Sequence, residues 1–298
     1  MTDTTQGPYL VSGASGQLGQ LVLDELLDQD CDNVIATTRS PDDLFEYEAR
    51  GVEVRRADFM APETLETAFA GARRMLLIST SDLEPGARLR SHLAAIDAAV
   101  AAGVEHIVYT SLTNPHEDSP ISFAADHRKT EDKLAQLSIS HTVLRNNLYT
   151  DLLLMSGPQA VATGRLVGAG ADGRVGYVTR ADCATAAAAA LLHERSSSTY
   201  DITGPSLVSM TGVARLLSET TGKPVQHVSV TPTDVERGMI DHGVPAAMAR
   251  MLASIDEGIA QGELAVSSPD FAELTGAAPM SVEEFLRLHA NTLRGEAS

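Results

Sequence analysis

The chain has 298 residues and a formal net charge of −18 at pH 7, because 40 aspartates and glutamates outnumber 22 lysines and arginines. Such a surface repels the phosphates of nucleic acids and of anionic membranes, so neither is a predicted partner. The length and a hydrophobic fraction of 43% allow one large α/β domain, or a domain with a smaller lobe.

The character of the first residues and the cysteine usage predict a cytoplasmic protein. The first residues, Met-Thr-Asp-Thr-Thr-Gln, lack the basic and apolar character of a signal sequence, and no apolar run reaches about 18 residues. Cys31 and Cys183 suggest neither a disulfide framework nor a metal site, and the nine histidines form no ligand motif. We therefore expect a reducing compartment and no bound metal.

The N-terminal region predicts a strand, a tight glycine turn and a helix. The strand is the apolar run 9–11, and apolar residues of the helix recur at the spacing of one helical face. The glycines between them are Gly13, Gly16 and Gly19. Gly13 lets the chain turn, Gly16 lets backbone N–H groups approach a pyrophosphate, and Gly19 lets the helix pack closely on the strand. The turn therefore predicts a dinucleotide site, although a plain glycine-rich turn in a buried α/β unit remains an alternative.

Strands and helices alternate over the rest of the first half. Further strands are predicted at 33–38, 52–55, 75–79, 106–110 and 141–144, and helices at 63–70, around 89–100 with Gly103 as its cap, and at 123–137. This alternation predicts a parallel, doubly wound α/β sheet covered by helices on both faces.

Past residue 150 the alternation loosens. The predicted elements are a helix at 151–156, an alanine-rich helix at 181–192, a strand at 200–203, a helix from Ser209 to Gly222, a strand at 225–230, a helix at 245–261, and a last helix opened by the capping box Ser281-x-x-Glu284. The glycine-rich segment 164–176 holds little that could build a core. We therefore predict a nucleotide-binding domain over 1–150, with 181–204 packing back on it, and a smaller substrate lobe from 151–180 and 205–298.

The carboxyl ends of parallel strands should carry the cofactor contacts. Arg39, in Thr38-Arg39-Ser40, offers a guanidinium to the 2′-phosphate of NADP where an acid would bind the ribose of NAD; otherwise it is a solvated loop arginine. Asp58 could accept from the adenine amino group or cap a helix. Ser79, Thr80 and Ser81 would meet the nicotinamide ribose or merely suit a loop.

Several motifs together resemble the NmrA-like atypical short-chain dehydrogenase/reductases, and within that group the type 2 NAD(P)H:quinone oxidoreductases and triarylmethane dye reductases. They are Gly13-Ala-Ser-Gly-Gln-Leu-Gly19, Thr38-Arg39-Ser40, Ala57-Asp58-Phe59, the run from His141 to Tyr149, and a tail from Gly243 to Gly276 that belongs to the substrate lobe in those enzymes. The resemblance covers nearly the whole chain. Asn147 departs from it, since the family usually has glycine there.

The resemblance implies a Rossmann fold and a preference for NADPH, with NADH bound more weakly. The cofactor contacts it implies are Gly13, Ser15, Gly16, Gln17, Leu18, Arg39, Asp58, Phe59, Ser79, Thr80, Ser81 and Asn146.

The usual short-chain dehydrogenase donates a proton from a tyrosine whose pKa is lowered by a lysine four residues on. None of the six tyrosines is followed by lysine at that spacing, so alcohol or ketone chemistry through such a pair, and an epimerase or dehydratase activity, are disfavoured.

Three candidate catalytic residues remain. Ser111 matches the family's serine or is a capping hydroxyl. His127 falls where the tyrosine would stand, as in similar quinone reductases, or is a surface histidine. Tyr149 closes over the nicotinamide or fills the core.

Two functions therefore remain open. A quinone is already a strong hydride acceptor and needs orientation more than acid catalysis, so the missing pair fits an NADPH-dependent reductase of a quinone, or of a dye, enone or imine. It also fits an NADP(H)-binding sensor without turnover. The predicted partner is a small-molecule acceptor, and the predicted assembly is a monomer or homodimer.

Overall fold

The computed structural model describes residues 7–296. Its strands, in chain order, are β1 (Tyr9–Ser12), β2 (Val34–Thr38), β3 (Glu53–Arg56), β4 (Arg74–Leu77), β5 (His106–Leu112), β6 (Ser140–Asn146), β7 (Arg165–Gly168), β8 (Arg174–Val175), β9 (Ser198–Ile202), β10 (Val208–Ser209) and β11 (Gln226–Ser229). Its helices are α1 (Gln17–Asp28), α2 (Phe45–Ala49), α3 (Leu65–Phe69), α4 (Ala87–Ala101), α5 (Ala124–Ala135), α6 (Leu153–Thr163), α7 (Arg180–His193), α8 (Met210–Thr221), α9 (Pro232–Asp241), α10 (Ala246–Gln261), α11 (Asp270–Thr275), α12 (Val282–Leu288) and α13 (Ala290–Arg294). Short 3₁₀ turns cover Pro41–Leu44, Pro62–Thr64 and Thr150–Leu152.

The main sheet has seven strands within the described residues, in the order β3-β2-β1-β4-β5-β6-β9. β1 pairs in parallel with β2 and with β4, β2 with β3, and β4 with β5. Strands β1, β2 and β4 are buried along their whole length, as expected of parallel strands covered on both faces. The predicted doubly wound, Rossmann-like sheet is confirmed. Its strand order reverses between β1 and β4, which is where such sheets bind ligands.

The ends of two helices confirm the capping residues predicted from the sequence. Ser209 caps α8 by accepting from the Gly212 amide, and Gly222 ends that helix with a φ of 73°. The Ser281–Glu284 capping box is present at the start of α12. These features depend on a few neighbouring residues, so the sequence is sufficient to predict them.

Other predictions were wrong in detail. The predicted helix at 63–70 is a 3₁₀ turn followed by α3, and the strand predicted at 75–79 ends at Leu77. Helices α2, α9, α11 and α13 were not predicted; all four are short, and a helix of one to three turns shows little periodicity. The segment 164–176 does contribute to a core, because β7 pairs with β11, β8 pairs with β10, and Leu166 and Val175 are buried.

The described chain divides into two compact units. The first runs to Leu112 and also contains Asp126–Arg145 and Arg180–Tyr200. Its core includes Leu10, Ile35, Phe69, Met75, Leu77 and Tyr109. The alanine-rich helix α7 packs against α1, and the buried Arg74 of β4 donates to carbonyl oxygens of Ala190, Leu191 and Glu194 at the end of α7.

The second unit consists of Thr113–Ala125, Asn146–Thr179 and the chain from Asp201 onward. Asn147, the residue that departs from the family pattern, is 2% exposed in this unit. Its Nδ2 donates to the Leu264 carbonyl over 3.2 Å, and its Oδ1 accepts from the Leu148 amide over 2.8 Å. A glycine could make neither bond, so Asn147 ties the segment after β6 to the segment after α10. The role of this region as a substrate lobe stays a prediction.

Residues 7–296 contain neither a membrane-crossing helix nor a metal-binding cluster. None of the helices there is long and apolar enough to cross a membrane. Nor do the histidine, cysteine and carboxylate side chains of this range form a group of three that could hold a metal ion.

Candidate functional site

The glycine turn joins β1 to α1 and leaves the start of that helix open. Gly13 has a φ of +62°, which a residue with a side chain rarely adopts. Gly16 precedes the helix in an extended conformation and provides no side-chain cap. The first amides of α1 therefore lack a capping side chain, which favours binding of an anion at this end of the helix.

Gly19 decides how closely α1 approaches the turn. A Cβ atom at Gly19 would lie 2.5 Å from the Gly13 carbonyl oxygen and 2.7 Å from Ala14 Cα. Both are backbone atoms and cannot rotate away. The third glycine of the motif therefore serves the packing of the helix on the turn.

A cleft of about 280 Å³ lies in the first unit, beside the carboxyl ends of β1, β2, β3 and β4. It is lined by Gly13, Ser15, Gly16, Thr37, Thr38, Arg39, Ala57, Asp58, Phe59, Met60, Ile78, Ser79, Thr80, Ser81, Asp82 and Ser91. Nine of the residues predicted to bind cofactor are among them: Gly13, Ser15, Gly16, Arg39, Asp58, Phe59, Ser79, Thr80 and Ser81. Gln17 and Leu18 lie in the first turn of α1 instead, and Asn146 belongs to the second unit.

Arg39 is a cation without a partner in this cleft. Thr38 Oγ1 accepts from the Ser40 amide and lies 2.7 Å from Ser15 Oγ, so its hydroxyl is engaged within the loop. Arg39 makes no hydrogen bond or ion pair with any described residue, in a chain that carries almost two acids for each base. An exposed guanidinium at the end of β2 is therefore available to an anionic ligand.

Two buried hydroxyls of the cleft lack hydrogen-bond partners. They are Thr37 Oγ1 and Thr80 Oγ1. A buried hydroxyl left unpaired costs about 1–3 kcal/mol, so these atoms fit a polar ligand that would satisfy them. Asp58 Oδ1 accepts from the Met60 amide over 3.0 Å, so this oxygen stabilises the turn after β3; the adenine contact predicted for Asp58 stays a prediction.

Side chains hold the backbone after β4 in place. The Ile78 amide donates to Ser12 Oγ over 3.1 Å, and the Ser79 amide donates to Thr110 Oγ1 over 2.9 Å. The Thr80 amide donates to His92 Nε2 over 3.1 Å, while Arg88 donates to the Thr80 carbonyl. This wall of the cleft is therefore fixed before any ligand binds.

Ser111 belongs to a buried polar cluster with Glu131 and Arg145. Ser111 Oγ donates to Glu131 Oε1 over 2.7 Å. Arg145 donates to both oxygens of the same carboxylate, at 3.1 Å from Nε and 2.6 Å from Nη2. Such a bidentate pair fixes the carboxylate and, through it, the Ser111 hydroxyl. The alternative that Ser111 is only a capping hydroxyl is wrong.

His127 is not a surface residue, so that alternative is also wrong. It is 3% exposed, and its Nδ1 lies 2.7 Å from the hydroxyl of Tyr109. Burial, with additional contributions from His92 and Arg88, lowers the pKa of His127 well below its ordinary value. Burial also raises the pKa of the Tyr109 phenol far above its ordinary value. His127 is therefore a neutral imidazole beside a protonated phenol.

Tyr149 and Asn146 lie in the second unit. Tyr149 is half-buried and forms an isolated parallel bridge with Val178. Asn146 is 4% exposed; its Nδ2 lies 3.5 Å from the Tyr149 hydroxyl, and its Oδ1 has no hydrogen-bond partner. The roles predicted for these two residues stay predictions.

The second unit also contains a cavity of about 370 Å³, larger than the cleft of the first unit. Its walls include Arg174, Ser209, Arg215 and Ser281, and none of the predicted site residues. Size alone does not make it the better candidate, because the smaller cleft combines the glycine turn, an unpaired cation and unpaired hydroxyls.

Sequence reasoning missed several residues of this site. Met60 forms part of the cleft wall, and His92 and Tyr109 are buried behind it. Glu131 could have been found, because it stands four residues after His127, at the spacing where a short-chain dehydrogenase carries its lysine. His92 and Tyr109 gave no such signal.

Residues 6–286 match the NmrA-like family. Quinone oxidoreductase 2 of Escherichia coli (strain K12) is 35% identical over 268 residues, which make up 89% of this chain and 93% of that protein.

Two solved structures have similar folds. The NADPH-dependent quinone oxidoreductase of Escherichia coli, complexed with NADPH, matches with a TM-score of 0.88 and 34% identity, covering 94% of this chain and 98% of that one. The triphenylmethane reductase of Citrobacter sp., complexed with NADP(H), matches with a TM-score of 0.89 and 33% identity, covering 95% of this chain and all of that one (100%).

Proposed function

Because the chain belongs to the NmrA-like family, we propose that it is an NADPH-dependent oxidoreductase that transfers a hydride to a small electrophilic acceptor, a quinone. The observation that carries this proposal is the cleft at the strand-order reversal, where the unpaired Arg39 and two unpaired hydroxyls surround the open start of α1. The similar Escherichia coli and Citrobacter enzymes, whose structures hold NADPH and NADP(H), support it.

The residues of the cleft suit the parts of NADPH. The amides at the start of α1 bind the pyrophosphate, and Arg39 binds the 2′-phosphate. Asp58 and Phe59 contact the adenine, while Thr80 contacts the nicotinamide ribose. When bound, the nicotinamide supplies the hydride.

Ser111 and His127 orient the acceptor oxygen in this proposal. Ser111 is fixed by Glu131, and His127 is neutral, so neither brings a mobile positive charge to the site. Such an arrangement suits an acceptor that needs orientation more than strong acid catalysis. The roles of Tyr149 in acceptor binding and of Asn146 in cofactor binding are proposals from the sequence alone, as are the cytoplasmic location and the monomeric or homodimeric state.

Cofactor preference should depend on Arg39. We expect Arg39→Asp to weaken NADPH binding by at least ~2 kcal/mol, about 30-fold, because it removes a charge-assisted contact and adds repulsion to the 2′-phosphate. NADH binding should change much less. Titration of both cofactors checks this, with Lys129→Asp as a control that makes the same change of charge at another unpaired cation of the first unit. Equal losses for NADPH and NADH would refute the assignment of Arg39.

Turnover over a panel of quinones, dyes, enones and imines tests the function itself. Purified protein should oxidise NADPH only when an electron-poor acceptor is present. Ser111→Ala and His127→Asn should each lower kcat by roughly 10- to 100-fold while leaving NADPH affinity nearly intact, because hydrogen-bonding help is partial for a reactive acceptor. His141→Asn, at the opposite end of β6 from Arg145, is the control histidine.

A sensor predicts a different result. If the wild-type protein binds NADPH firmly and the NADPH absorbance stays constant with every acceptor of the panel, the reductase is excluded and the sensor remains.

A further inference from the structure

A chain of hydrogen bonds runs from the wall of the cleft to His127. The Thr80 amide lies 3.1 Å from His92 Nε2, His92 Nδ1 lies 3.2 Å from the Tyr109 hydroxyl, and that hydroxyl lies 2.7 Å from His127 Nδ1. His92 and Tyr109 are fully buried (0% exposed), and His127 is 3% exposed. Water therefore does not supply alternative partners along this chain, and the backbone amide at its start, which can only donate, sets the direction of the first bond.

The first bond fixes the tautomer of His92. A backbone amide can only donate, so His92 Nε2 accepts from Thr80 and the proton of the neutral ring stands on Nδ1. Burial, with a further contribution from Arg88, lowers the pKa of His92 to about 3, which keeps the ring neutral. His92 Nδ1–H therefore acts as a donor toward α5 and β5.

The next bonds fix the proton of Tyr109. His92 Nδ1 lies 3.0 Å from Thr130 Oγ1. The Thr130 hydroxyl donates its own proton to the Asp126 carbonyl oxygen over 2.7 Å. Both nearby oxygens, Thr130 Oγ1 and the Tyr109 phenol, therefore accept from His92. The phenol proton can reach two acceptors, Thr130 Oγ1 and His127 Nδ1. Thr130 Oγ1 already accepts from His92, and a neutral imidazole nitrogen at 2.7 Å is the better base, so the phenol proton goes to His127 Nδ1.

We propose that His92 and Tyr109 are positioning residues that hold His127 as a neutral imidazole with its proton on Nε2. In the proposed reaction, on which this role depends, His127 is then a hydrogen-bond donor to the acceptor oxygen and not a general acid. The ring keeps its Nε2 proton, and the proton that completes reduction of the acceptor comes from solvent.

The charges around His127 agree with a fixed neutral ring. Arg88 on α4 is a cation near both rings, and its charge disfavours protonation of His92 and of His127. The carboxylates that face Tyr109 belong to Asp126 and Glu131 on α5, and Glu131 is already paired with Arg145. Between pH 5 and 8 we expect neither His92 nor His127 to gain a proton.

Nitrogen-15 NMR of the imidazole rings tests the proposal directly, without any variant and without turnover. Two-bond N–H correlations distinguish the two neutral tautomers. We expect His92 with its proton on Nδ1 and His127 with its proton on Nε2, both unchanged from pH 5.5 to 8. A His127 ring protonated on Nδ1, or a doubly protonated ring within this range, would overturn the proposal.

Tyr109→Phe then tests the positioning role. Without the phenol, His127 Nδ1 loses its donor, so the tautomer should become mixed and kcat should fall about 3- to 10-fold, with little change in the KM for NADPH. Tyr177→Phe is the matched control, because Tyr177 is also buried but, among residues 7–296, its hydroxyl hydrogen-bonds only to the Met210 sulfur, at 3.7 Å. An unchanged His127 tautomer in folded Tyr109→Phe protein would count against the proposal. If the expected tautomers are found in a protein that never oxidises NADPH, the proposed function fails while the hydrogen-bond chain stands.

Discussion

Lowering the pH from 7.5 to 5 should reduce the free energy of unfolding by about 6 kcal/mol through three buried histidines. They are His92, His106 and His127, which are 0%, 1% and 3% exposed. Burial lowers the pKa of His92 and of His106 to about 3, and that of His127 well below its ordinary value; Arg88 adds to the effect at His92, and Arg74 at His106. The native protein therefore keeps all three rings neutral at pH 5.

The direction of this pH effect follows from protonation of the unfolded chain. Its histidines take up protons below a pKa of about 6.5, while the native pKa values of His92 and His106 are lowered to about 3 and that of His127 is lowered well below its ordinary value. Stability is therefore fully present above pH 6.5 and falls as the pH decreases toward 3. Each ring contributes about 1.36 kcal/mol per pH unit, so the slope near pH 5.5 should be about 4 kcal/mol per unit.

Denaturant unfolding at several pH values measures this slope. His106→Gln should lower it by one third, because Ser140 and Thr142 can still hydrogen-bond an amide at that place. The exposed His193 gives the control, since His193→Gln should leave the slope unchanged. Comparing variants with the wild type removes the effect of the net charge of −18, which is common to all of them. A wild-type slope below about 1.4 kcal/mol per unit would show that the native rings do take up protons.

Alanine at Gly19 should destabilise the protein by about 3 kcal/mol or more and abolish NADPH binding, although alanine is the better helix former. The new Cβ would lie 2.5–2.8 Å from backbone atoms of Gly13 and Ala14, so either α1 or the glycine turn must move. A displaced turn no longer presents the amides of α1 to the pyrophosphate.

Gly238 offers a matched control within another helix. It lies in α9, and a Cβ there would meet no atom within 4 Å. Gly238→Ala should therefore raise the free energy of unfolding by up to about 1 kcal/mol and leave NADPH binding unchanged. Denaturant unfolding and NADPH titration compare the two variants. A Gly19→Ala protein as stable as the wild type would show that the turn does not need the close approach of α1.

The features that the sequence determined by itself are those set by local physics. The spacing of Gly13, Gly16 and Gly19 predicted the strand, turn and helix, and buried apolar runs alternating with helices predicted the parallel sheet. Helix caps such as Ser209 and Gly222 were equally predictable. In each case, a few neighbouring residues contain all the interactions that decide the outcome.

The surroundings of His127 were decided only by the tertiary structure. The segment Asp126-His127-Arg128-Lys129-Thr130-Glu131-Asp132-Lys133 is so polar that it could be a solvated helix. The fold instead buries one stripe of α5, formed by His127, Thr130, Glu131 and Leu134. His127 meets Tyr109 of β5 on this stripe, and Glu131 binds both Ser111 of β5 and Arg145 of β6.

The partners of these side chains are distant in the sequence: Tyr109 is 18 positions before His127, and Ser111 is 20 before Glu131. Whether a polar residue on α5 faces water or the sheet depends on where the helix packs, which no local pattern specifies. The same holds for β7 and β8, whose pairing partners, β11 and β10, lie far along the chain. Local spacing therefore determined the nucleotide turn, whereas long-range packing determined which polar side chains became buried neighbours and, through burial, their protonation states.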